Sequence, residues 1–400
     1  MNNIYLYGPP GSGKTTVGRL FAGQRKLPFL DLDREIEKAA GKSIPEIFAN
    51  GETAFRKLEL DILKRIASGD RTVVALGGGA LLNPEARRIA ETTGRVTLLT
   101  CDREVLLERT RREQNRPLLA GDPEKRLADL LAARAEHYAS FTVRFLRFAV
   151  IGHPVAHSLS PVMHAANFAA KDIAATYEKF DVEPGQVASF LAGKKREGFS
   201  GINVTIPHKV ETATAIDHAD ANARLSGACN TVKFETDGSL SGFNTDMTAF
   251  TDILSAHGCD PRGKDIFIFG RGGAGKAIAA AAKQAGATSV TAVGRGSWES
   301  EAARADIVVN ATPVGLKEGD ASLVPATVFH RGQFVLDLIP TRAFPPTAAA
   351  ARQAGAEAVG GLEFLVAQGA KSFEIWTGIK ADREAMLASF FTVADNSKML

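Results

Sequence analysis

The sequence has few of the residues that build crosslinked or metal-bound small domains. Only three of its 400 residues are cysteines, and Cys101, Cys229 and Cys259 have neither the pairing of a disulfide framework nor the spacing of a zinc site. Disulfides are therefore excluded as the source of stability. Three separate thiols fit a reducing compartment, and we expect a cytoplasmic protein.

The sequence also lacks a large excess of charge of one sign, since its formal net charge at pH 7 is only +3. Basic residues form only short clusters, so no nucleic-acid partner is expected. The chain enters the apolar segment Ile4–Tyr7 without a signal-peptide pattern, and no apolar stretch has the length of a membrane span. The composition, 45% hydrophobic and 23% charged, is that of a globular protein of two or three domains, with its oligomeric state left open.

Short apolar strands alternate with amphipathic helices along the first part of the chain. Strands are predicted at Ile4–Tyr7, Phe29–Asp31, Thr72–Leu76 and Val96–Thr100. This alternation is typical of a parallel sheet with helices on both faces, so the fold class is α/β. Residues 109–123 lack an apolar period and predict a mobile flap between helices. A new strand, Phe148–Ile151, follows without a linker, which predicts a domain boundary near residue 146.

Residues Gly8–Thr15 read Gly-Pro-Pro-Gly-Ser-Gly-Lys-Thr and lie between a predicted strand and a predicted helix. This pattern is typical of a P-loop, in which glycines let backbone amides wrap the phosphates and the helix N-terminus favours the anion. Lys14 would reach the terminal phosphates, and the Thr15 hydroxyl would ligate Mg²⁺. The residues predicted to bind ATP are Gly11, Ser12, Gly13, Lys14, Thr15 and Thr16.

Further motifs narrow the phosphoryl acceptor. They are the carboxylates Asp31 and Asp33 after the second strand, Arg56 in Glu-Thr-Ala-Phe-Arg, the run Gly77, Gly78 and Gly79 after the third strand, Arg116 in Arg-Pro-Leu-Leu, and Arg134 before Ala-Glu-His-Tyr. Together these motifs resemble shikimate kinase, and the resemblance covers about residues 1–145.

The resemblance implies how the acceptor is held. Arg56 and Arg134 would bind the substrate carboxylate through their guanidinium forks. Asp33 would hold ring hydroxyls and orient or deprotonate the attacking one. The residues Gly77–Gly79 would let the ring lie against backbone.

It also implies how the transferred group is stabilised. Asp31 would hold Mg²⁺ through water, and Arg116 would neutralise the charge on the phosphoryl group. Kinases of this family continue with a closing helix after the last strand. Because this chain enters a new domain instead, we expect that domain to supply the missing packing.

A second ordered set of motifs follows. It comprises Ile-Gly-His-Pro-Val-Ala-His-Ser-Leu-Ser-Pro at Ile151–Pro161, then Asn203–Lys209, Gly227–Thr231, Phe243–Asp246, Asn310–Gly315 and Gly361–Gln368. This set resembles shikimate dehydrogenase over about residues 148–390. Three domains are therefore predicted: a P-loop kinase domain at 1–146, an α/β substrate domain at 147–246 to which a C-terminal helix at 361–390 returns, and a Rossmann-like NADP domain at 247–360.

The cofactor domain carries the second glycine loop, Gly-Arg-Gly-Gly-Ala-Gly, directly after the apolar strand Ile266–Phe269. Arg295 ends the next strand where an acidic residue would hold a ribose 2′-hydroxyl; a cation accepts a 2′-phosphate, so NADP(H) is favoured over NAD(H). Arg271 is either a further cation near the cofactor or a solvated loop charge. The predicted cofactor residues are Gly270, Gly272, Gly273, Ala274, Gly275, Arg295 and Thr312.

The dehydrogenase resemblance implies that Lys209 and Asp246 are catalytic. An ammonium held by a carboxylate can exchange a proton with the substrate oxygen while hydride moves. Besides this pair, substrate hydrogen bonds are expected from Ser158, Ser160, Asn203, Thr205, Asn230 and Gln368. The histidines in this half lack ligand spacing, so no metal site is expected there.

Three departures from the dehydrogenase pattern stand out. Met247–Phe250 follows Asp246 where the family has a glycine, and Asp337-Leu-Ile-Pro340 replaces an element that ends in tyrosine. Only residues 296–305 separate the strand before Arg295 from the next strand, fewer than a strand–helix–strand crossover of about a dozen residues needs. The NADP domain is therefore expected to be trimmed by a helix or a strand–helix pair, which would weaken NADP affinity.

The leading hypothesis is a bifunctional enzyme of aromatic biosynthesis. The C-terminal half would reduce 3-dehydroshikimate to shikimate with NADPH, and the N-terminal half would phosphorylate shikimate with ATP and Mg²⁺. Two alternatives stay open: the trimmed half could be a non-catalytic scaffold for an active kinase, or the dehydrogenase could use quinate. Ser158 and Ser160 favour shikimate by resemblance alone.

Overall fold

The structure, a computed structural model, describes residues 2–112 and 122–391. The chain forms two units, and the first contains Met1–Arg147 together with the short segments Ala174–Thr176 and Gly193–Phe199. The remaining residues form the second unit. The predicted Arg116 and most of the predicted flap lie outside the described residues. The first part of that flap, residues 109–112, is helical instead.

The first unit is built on a parallel sheet. Its strands are β1 (Asn3–Tyr7), β2 (Phe29–Asp31), β3 (Val73–Ala75) and β4 (Gly94–Leu98). Its helices are α1 (Lys14–Arg25), α2 (Leu32–Ala40), α3 (Ile44–Phe48), α4 (Glu52–Ala67), α5 (Pro84–Thr93), α6 (Arg103–Arg112), α7 (Pro123–Ala133) and α8 (Ala135–Ala139). The strand order is β2-β3-β1-β4, and every strand begins within two residues of its predicted start.

The central strand β1 is buried on both faces of this sheet. Successive side chains of a strand point to opposite faces. Accordingly, Tyr5 and Tyr7 pack into one apolar cluster, and Ile4 and Leu6 pack into the other. The sequence pattern of an apolar strand between helices is therefore explained by two cores on one sheet.

The first unit is completed by segments that come later in the chain. The Leu98 amide donates to the Val143 carbonyl at 2.9 Å, but no regular strand forms there in the described residues, only an isolated bridge from Leu98 to Arg144. The Leu146 amide then donates to the Ala174 carbonyl at 3.0 Å, and the Asp102 amide donates to the Arg196 carbonyl at 2.9 Å. Residues from the following part of the chain thus contribute to the packing of this unit, and Ala174 joins its apolar cluster with Ile4 and Leu6.

The next sheet is mixed. Its strands are β5 (Leu146–Gly152), β6 (Ala175–Asp181), β7 (Gly201–Val204), β8 (His218–Ala219), β9 (Thr231–Phe234) and β10 (Leu240–Phe243), in the order β6-β5-β7-β9-β10-β8. The accompanying helices are α9 (Ser160–Ala170), α10 (Val187–Arg196), α11 (Lys209–Ala213), α12 (Ala221–Ser226) and α13 (Thr245–Ala256). Strand β9 runs antiparallel to both β7 and β10.

A third, fully parallel sheet has the order β12-β11-β13-β14-β15. Its strands are β11 (Asp265–Phe269), β12 (Ser289–Val293), β13 (Ile307–Asn310), β14 (Phe334–Asp337) and β15 (Glu357–Val359). The helices are α14 (Gly273–Gln284), α15 (Glu299–Arg304), α16 (Pro346–Gln353), α17 (Gly361–Thr377) and α18 (Arg383–Ala388). The crossover from β12 to β13 holds only the six-residue α15, so the domain is short on this side.

The C-terminal helix predicted at 361–390 is divided in two. Gly378 adopts a φ of 70° and ends α17 in the left-handed conformation that favours glycine. Before that break, Trp376 on α17 donates its indole N–H to the Val232 carbonyl at 2.9 Å and lies against Gly201. No helix in the described part of the chain combines the length and apolarity needed to cross a bilayer.

Replacing Gly201 with alanine should destabilise the second unit. A Cβ atom at this position would lie 2.2 Å from Nε1 of Trp376, so the buried indole would have to move away from its hydrogen bond. We expect a loss of about 1–3 kcal/mol, measured as a lower midpoint of thermal or urea unfolding. Gly193→Ala, in α10 with no atom within 4 Å of the new Cβ, is the matched control and should be neutral or stabilising. Equal midpoints for the two variants would contradict this packing.

Candidate functional site

The first glycine loop joins β1 to α1 in a conformation that depends on its glycines. Gly11 and Gly13 have φ values of 77° and 90°, in the left-handed region. The Lys14 ammonium donates to the carbonyls of Gly8 at 2.9 Å and Pro9 at 2.8 Å, so it lies across the loop. Ser12 is buried in the loop, whereas Thr16 is exposed on the first turn of α1.

A hydroxyl and a carboxylate lie side by side next to this loop. The Thr15 hydroxyl donates to Oδ2 of Asp31 at 2.6 Å, while Oδ1 of Asp31 accepts from the amides of Asp33 and Arg34 and caps α2. Two oxygen ligands of the kind Mg²⁺ prefers are therefore adjacent. No cluster of three His, Cys, Asp or Glu ligands exists among the described residues, so phosphate oxygens and water would have to complete the coordination shell.

Two arginines converge on the glycine run that follows β3. A Cβ atom on Gly79 would lie 2.9 Å from Nη2 of Arg56 and 3.3 Å from Nη1 of Arg134. Nη1 of Arg134 also donates to the Gly78 carbonyl at 3.0 Å. The arginines predicted to bind a carboxylate, from α4 and from the α7–α8 junction, thus lie close together where the backbone has no side chain.

Carboxylates face the same glycine run. A Cβ atom on Gly77 would lie 3.2 Å from Oδ1 of Asp33 and 3.0 Å from Oε1 of Glu59. Glu59 was not predicted as a site residue; it accepts from Nη1 of Arg56 at 2.7 Å. Burial raises the pKa of Glu59 while Arg56 lowers it, and the net shift is upward. The sequence gives little sign of this role, because a glutamate three residues after an arginine in a helix usually marks an exposed surface.

Two tyrosines that were also not predicted fix the Gly78 carbonyl. The Tyr138 hydroxyl donates to it at 2.7 Å and the Tyr7 hydroxyl at 3.3 Å. Burial raises the pKa of both phenols, so they remain neutral donors at physiological pH. A Cβ atom on Gly78 would lie 3.3 Å from the Gly8 carbonyl oxygen, so the acceptor region directly adjoins the phosphate loop.

In the second unit the predicted catalytic pair is formed. Nζ of Lys209, the first residue of α11, donates to Oδ2 of Asp246 at 2.5 Å. Asp246 lies in the first turn of α13 and is 1% exposed. Its second oxygen, Oδ1, accepts from Nδ2 of Asn230 at 2.8 Å. Asn230 thus supports the carboxylate, and the Thr245 amide in turn donates to Oδ1 of Asn230 at 2.9 Å.

The Lys209–Asp246 pair lines a cleft within the second unit. Other predicted residues that line it are Ser158, Ser160, Asn203, Thr205, Ala274, Thr312 and Gln368. Asn203 is held from behind, because its Oδ1 accepts from the Tyr177 hydroxyl at 2.7 Å and its Nδ2 donates to the Ser372 hydroxyl at 2.9 Å. Tyr177 and Ser372 are supporting residues that lie outside the motifs, although Ser372 is only four residues after Gln368, and neither was predicted.

The second glycine loop adjoins the lysine. Gly270 has a φ of 118°, and a Cβ atom on Gly275 would lie 2.1 Å from the Gly270 carbonyl oxygen, so α14 begins in close contact with β11. Gly272 caps α14, and a Cβ atom on Gly273 would lie 2.8 Å from Cβ of Lys209. The glycine loop and the predicted catalytic lysine therefore approach each other too closely for a larger residue at Gly273.

Two cations, Arg271 and Arg295, follow the neighbouring strands β11 and β12. Arg295 is exposed, and Arg271 is exposed while its Nε donates to the Ala292 carbonyl at 3.0 Å. That hydrogen bond ties Arg271 to the strand that precedes Arg295. Both of these charged groups thus remain accessible to a ligand at the carboxyl edge of the sheet.

A buried carboxyl supports the loop at the position where the dehydrogenase family has a tyrosine. Oδ1 of Asp337 accepts from Nδ2 of Asn310 at 2.9 Å and from the Ile339 amide at 3.1 Å. Burial raises the pKa of Asp337 to about 6. Ile339 and Pro340 line the cleft, so the wall here is apolar and lacks a phenol. Asn310 also accepts from the Thr312 hydroxyl at 2.8 Å and fixes the next cleft residue.

Comparison with known proteins also divides the chain into a kinase part and a dehydrogenase part. A family model described as shikimate kinase matches residues 10–148. Models of the shikimate dehydrogenase substrate binding domain and of the shikimate 5'-dehydrogenase C-terminal domain match residues 150–232 and 361–389.

Individual relatives cover the second part of the chain. The NADP(+) shikimate dehydrogenase of Methanocella arvoryzae is 37% identical over 261 residues, which are 60% of this chain and 96% of that protein. The corresponding enzyme of Moorella thermoacetica is 38% identical, with 60% and 94% covered. A solved structure of shikimate 5-dehydrogenase from Thermus thermophilus, in complex with NADP(H) and shikimate, matches with a TM-score of 0.57 and 33% identity over 62% of this chain and 99% of that one.

The two sets of motifs found in the sequence thus match two families, and the families follow each other along the chain in the same order as the motifs. The chain belongs to the shikimate dehydrogenase family through its C-terminal part, and a shikimate kinase domain precedes that part.

Proposed function

We propose that this chain catalyses two consecutive reactions of aromatic biosynthesis. The C-terminal part reduces 3-dehydroshikimate to shikimate with NADPH, and the N-terminal part phosphorylates shikimate with ATP and Mg²⁺. The observation that carries the proposal is the intact Lys209–Asp246 pair, which lines a cleft beside the dinucleotide loop. A scaffold without dehydrogenase activity would have no need for a buried, fully hydrogen-bonded carboxylate at that position.

Lys209 is the proposed proton donor in the reduction. NADPH, when bound, supplies the hydride that the carbonyl carbon receives. As the carbonyl oxygen gains negative charge, the Lys209 ammonium gives it a proton, and the reverse transfer accompanies oxidation. Asp246 keeps the ammonium oriented, and Asn230 keeps Asp246 oriented. Ser158, Ser160 and Gln368 on the cleft wall would bind the carboxylate and hydroxyls of the ring.

The kinase site works by positioning and charge. Arg56 and Arg134 would hold the substrate carboxylate against the glycine run, and Asp33 would orient the attacking hydroxyl. The loop amides and Lys14 would neutralise charge on the phosphates, with Mg²⁺ held near Thr15 and Asp31. Arg116 keeps its proposed role at the transferred phosphoryl group, although it lies outside the described residues.

The proposed partners are therefore small molecules: 3-dehydroshikimate, shikimate, NADPH and ATP. A cytoplasmic location is proposed because the three cysteines are free and these substrates are polar metabolites. We propose no nucleic-acid or membrane partner. We also propose the three domains predicted from the sequence. They are a kinase domain at 1–146, a substrate domain at 147–246 with the returning C-terminal segment, and an NADP domain at 247–360.

Lys209→Ala should remove dehydrogenase activity while phosphorylation continues. Loss of the proton donor is expected to lower kcat by at least about a hundredfold, measured by NADP⁺ reduction with shikimate. Asp246→Asn, which keeps the side-chain volume, should act in the same direction. Lys233→Ala, on strand β9 away from the cleft, is the control and should retain activity. No turnover by the unaltered chain would sink the bifunctional proposal in favour of the scaffold.

Lys14→Ala should have the reciprocal effect. Without its charge on the phosphates, ATP-dependent phosphorylation is expected to fall at least about a hundredfold, followed by ADP release with shikimate as acceptor. Dehydrogenase turnover should not change, and Lys38→Ala on the exposed face of α2 should change neither activity. Loss of both activities in Lys14→Ala would show that the two functions are not independent.

Arg295→Ala should weaken NADP⁺ selectively. Removing one charge-assisted contact to a 2′-phosphate should raise the KM for NADP⁺ by about tenfold and leave the KM for NAD⁺ unchanged. Arg304→Ala, exposed on α15 in the same crossover, is the matched control. An equal rise for both cofactors would mean that Arg295 does not read the 2′-phosphate.

A further inference from the structure

The kinase unit includes a charged segment, Gly193–Phe199, that comes from the later part of the chain. It meets the phosphate loop through one arginine. Arg109 on α6 donates from Nη1 to the Gly11 carbonyl at 3.3 Å and from Nη2 to Oε2 of Glu197 at 3.2 Å. A Cβ atom on Gly13 would lie 3.4 Å from the same Nη1, so the guanidinium lies along the loop between two of its glycines.

Glu197 is itself well anchored. Its Oε1 accepts from the Lys194 ammonium at 2.9 Å, and its Oε2 lies 4.0 Å from the buried guanidinium of Arg147. The Arg147 guanidinium also lies over the Phe199 ring at 3.9 Å. Because several groups hold the carboxylate, it provides a fixed point against which the long Arg109 side chain can be oriented.

The backbone of the segment is fixed as well. The Asp102 amide, just before α6, donates to the Arg196 carbonyl at 2.9 Å. Gly198 has a φ of 80°, and a Cβ atom there would lie 2.3 Å from the Thr100 carbonyl oxygen. The segment therefore lies against the start of α6 at a distance that only glycine permits.

We propose that Glu197 is a positioning residue for the nucleotide site of the kinase, acting through Arg109 on the phosphate loop. This inference rests on the proposed function, because it assumes that Gly8–Thr15 binds ATP. Glu197 lies beyond residues 10–148, the range matched by the shikimate kinase model. The ATP site of this chain thus depends on a residue from its dehydrogenase part.

Two effects of Glu197 on ATP oppose each other. Its negative charge reduces the attraction of Arg109 for phosphate, whereas its hydrogen bond holds Arg109 on the Gly11 carbonyl and so keeps the loop in one conformation. The carboxylate is 26% exposed, so its charge is screened by solvent beyond the contact with Arg109. The orientation of the Arg109 side chain, and of the loop in which Gly11 and Gly13 have positive φ, is a local effect that screening does not remove. We therefore expect the positioning effect to dominate.

The test is Glu197→Gln in the full chain, which keeps the shape and removes the charge-assisted bond. Affinity for a non-hydrolysable ATP analogue, measured by calorimetry, should fall about three- to tenfold. The KM for ATP should rise by the same factor, while kcat, the KM for shikimate and dehydrogenase turnover remain unchanged. Glu104→Gln is the matched control, since Glu104 on α6 pairs with Arg196 at 3.7 Å, is 81% exposed and does not touch Arg109.

The same substitution in an Arg109→Ala background separates positioning from general stability. If Glu197 acts through Arg109, Glu197→Gln should have no further effect on analogue affinity there. An unchanged or higher affinity in the single variant, an effect equal to that of Glu104→Gln, or an undiminished effect in the Arg109→Ala background would overturn the proposal. Analogue binding is read without turnover. An unaltered chain that binds the analogue but does not phosphorylate shikimate would contradict the proposed kinase function and leave this inference to be judged on binding.

Discussion

Burial of the Asp246 carboxylate is the constraint on which the dehydrogenase site depends. A buried carboxylate is costly unless its charge is paired and its oxygens are hydrogen-bonded. Lys209 and Asn230 meet that demand, one at each oxygen. These two residues come from α11 and from the segment before β9, so satisfying one charge brings separate elements to one point. The lysine stem then lies against Gly273, which fixes the distance between the pair and the dinucleotide loop.

The kinase site also pairs a buried carboxylate with a cation, but it does so with different residues. Arg56 and Arg134 converge on a glycine run, and the buried Glu59 accepts from Arg56. Without that partner, two guanidinium groups would repel each other in a partly buried site. A second carboxylate, Glu52, accepts from Nε and Nη2 of Arg56 at 3.2 and 3.0 Å, so an anionic substrate would compete with it for this guanidinium. The proposed binding site for a carboxylate is thus built around carboxylates of the protein itself.

Much of this could be predicted from the sequence, because local patterns carry it. Apolar strands between helices predicted the α/β sheets, and the glycine loops were recognisable because a left-handed φ or close backbone approach requires glycine at fixed spacings. The abrupt start of β5 after residue 145 was visible as a missing linker. The break in the C-terminal helix was missed, although Gly378 at its end is the usual signal for one.

What the sequence could not predict is support from residues far along the chain. Tyr177 and Ser372 hold Asn203, and Tyr138 holds the Gly78 carbonyl, but each of them looks like an ordinary core residue within its own helix or strand. Their roles follow from which elements pack together. That information is absent from periodicity and from spacing within one motif.

The two parts of the chain are therefore not simply consecutive domains, because the first unit includes residues that come from the second part. Beyond β4, the first sheet continues in the described residues only as an isolated bridge from Leu98 to Arg144. Ala174 packs into the apolar cluster of Ile4 and Leu6, and the segment 193–199 lies against Thr100 and Asp102, so both belong to the first unit. A change that moved this segment would therefore disturb its contacts with Thr100 and Asp102 as well as the fold of its own part of the chain.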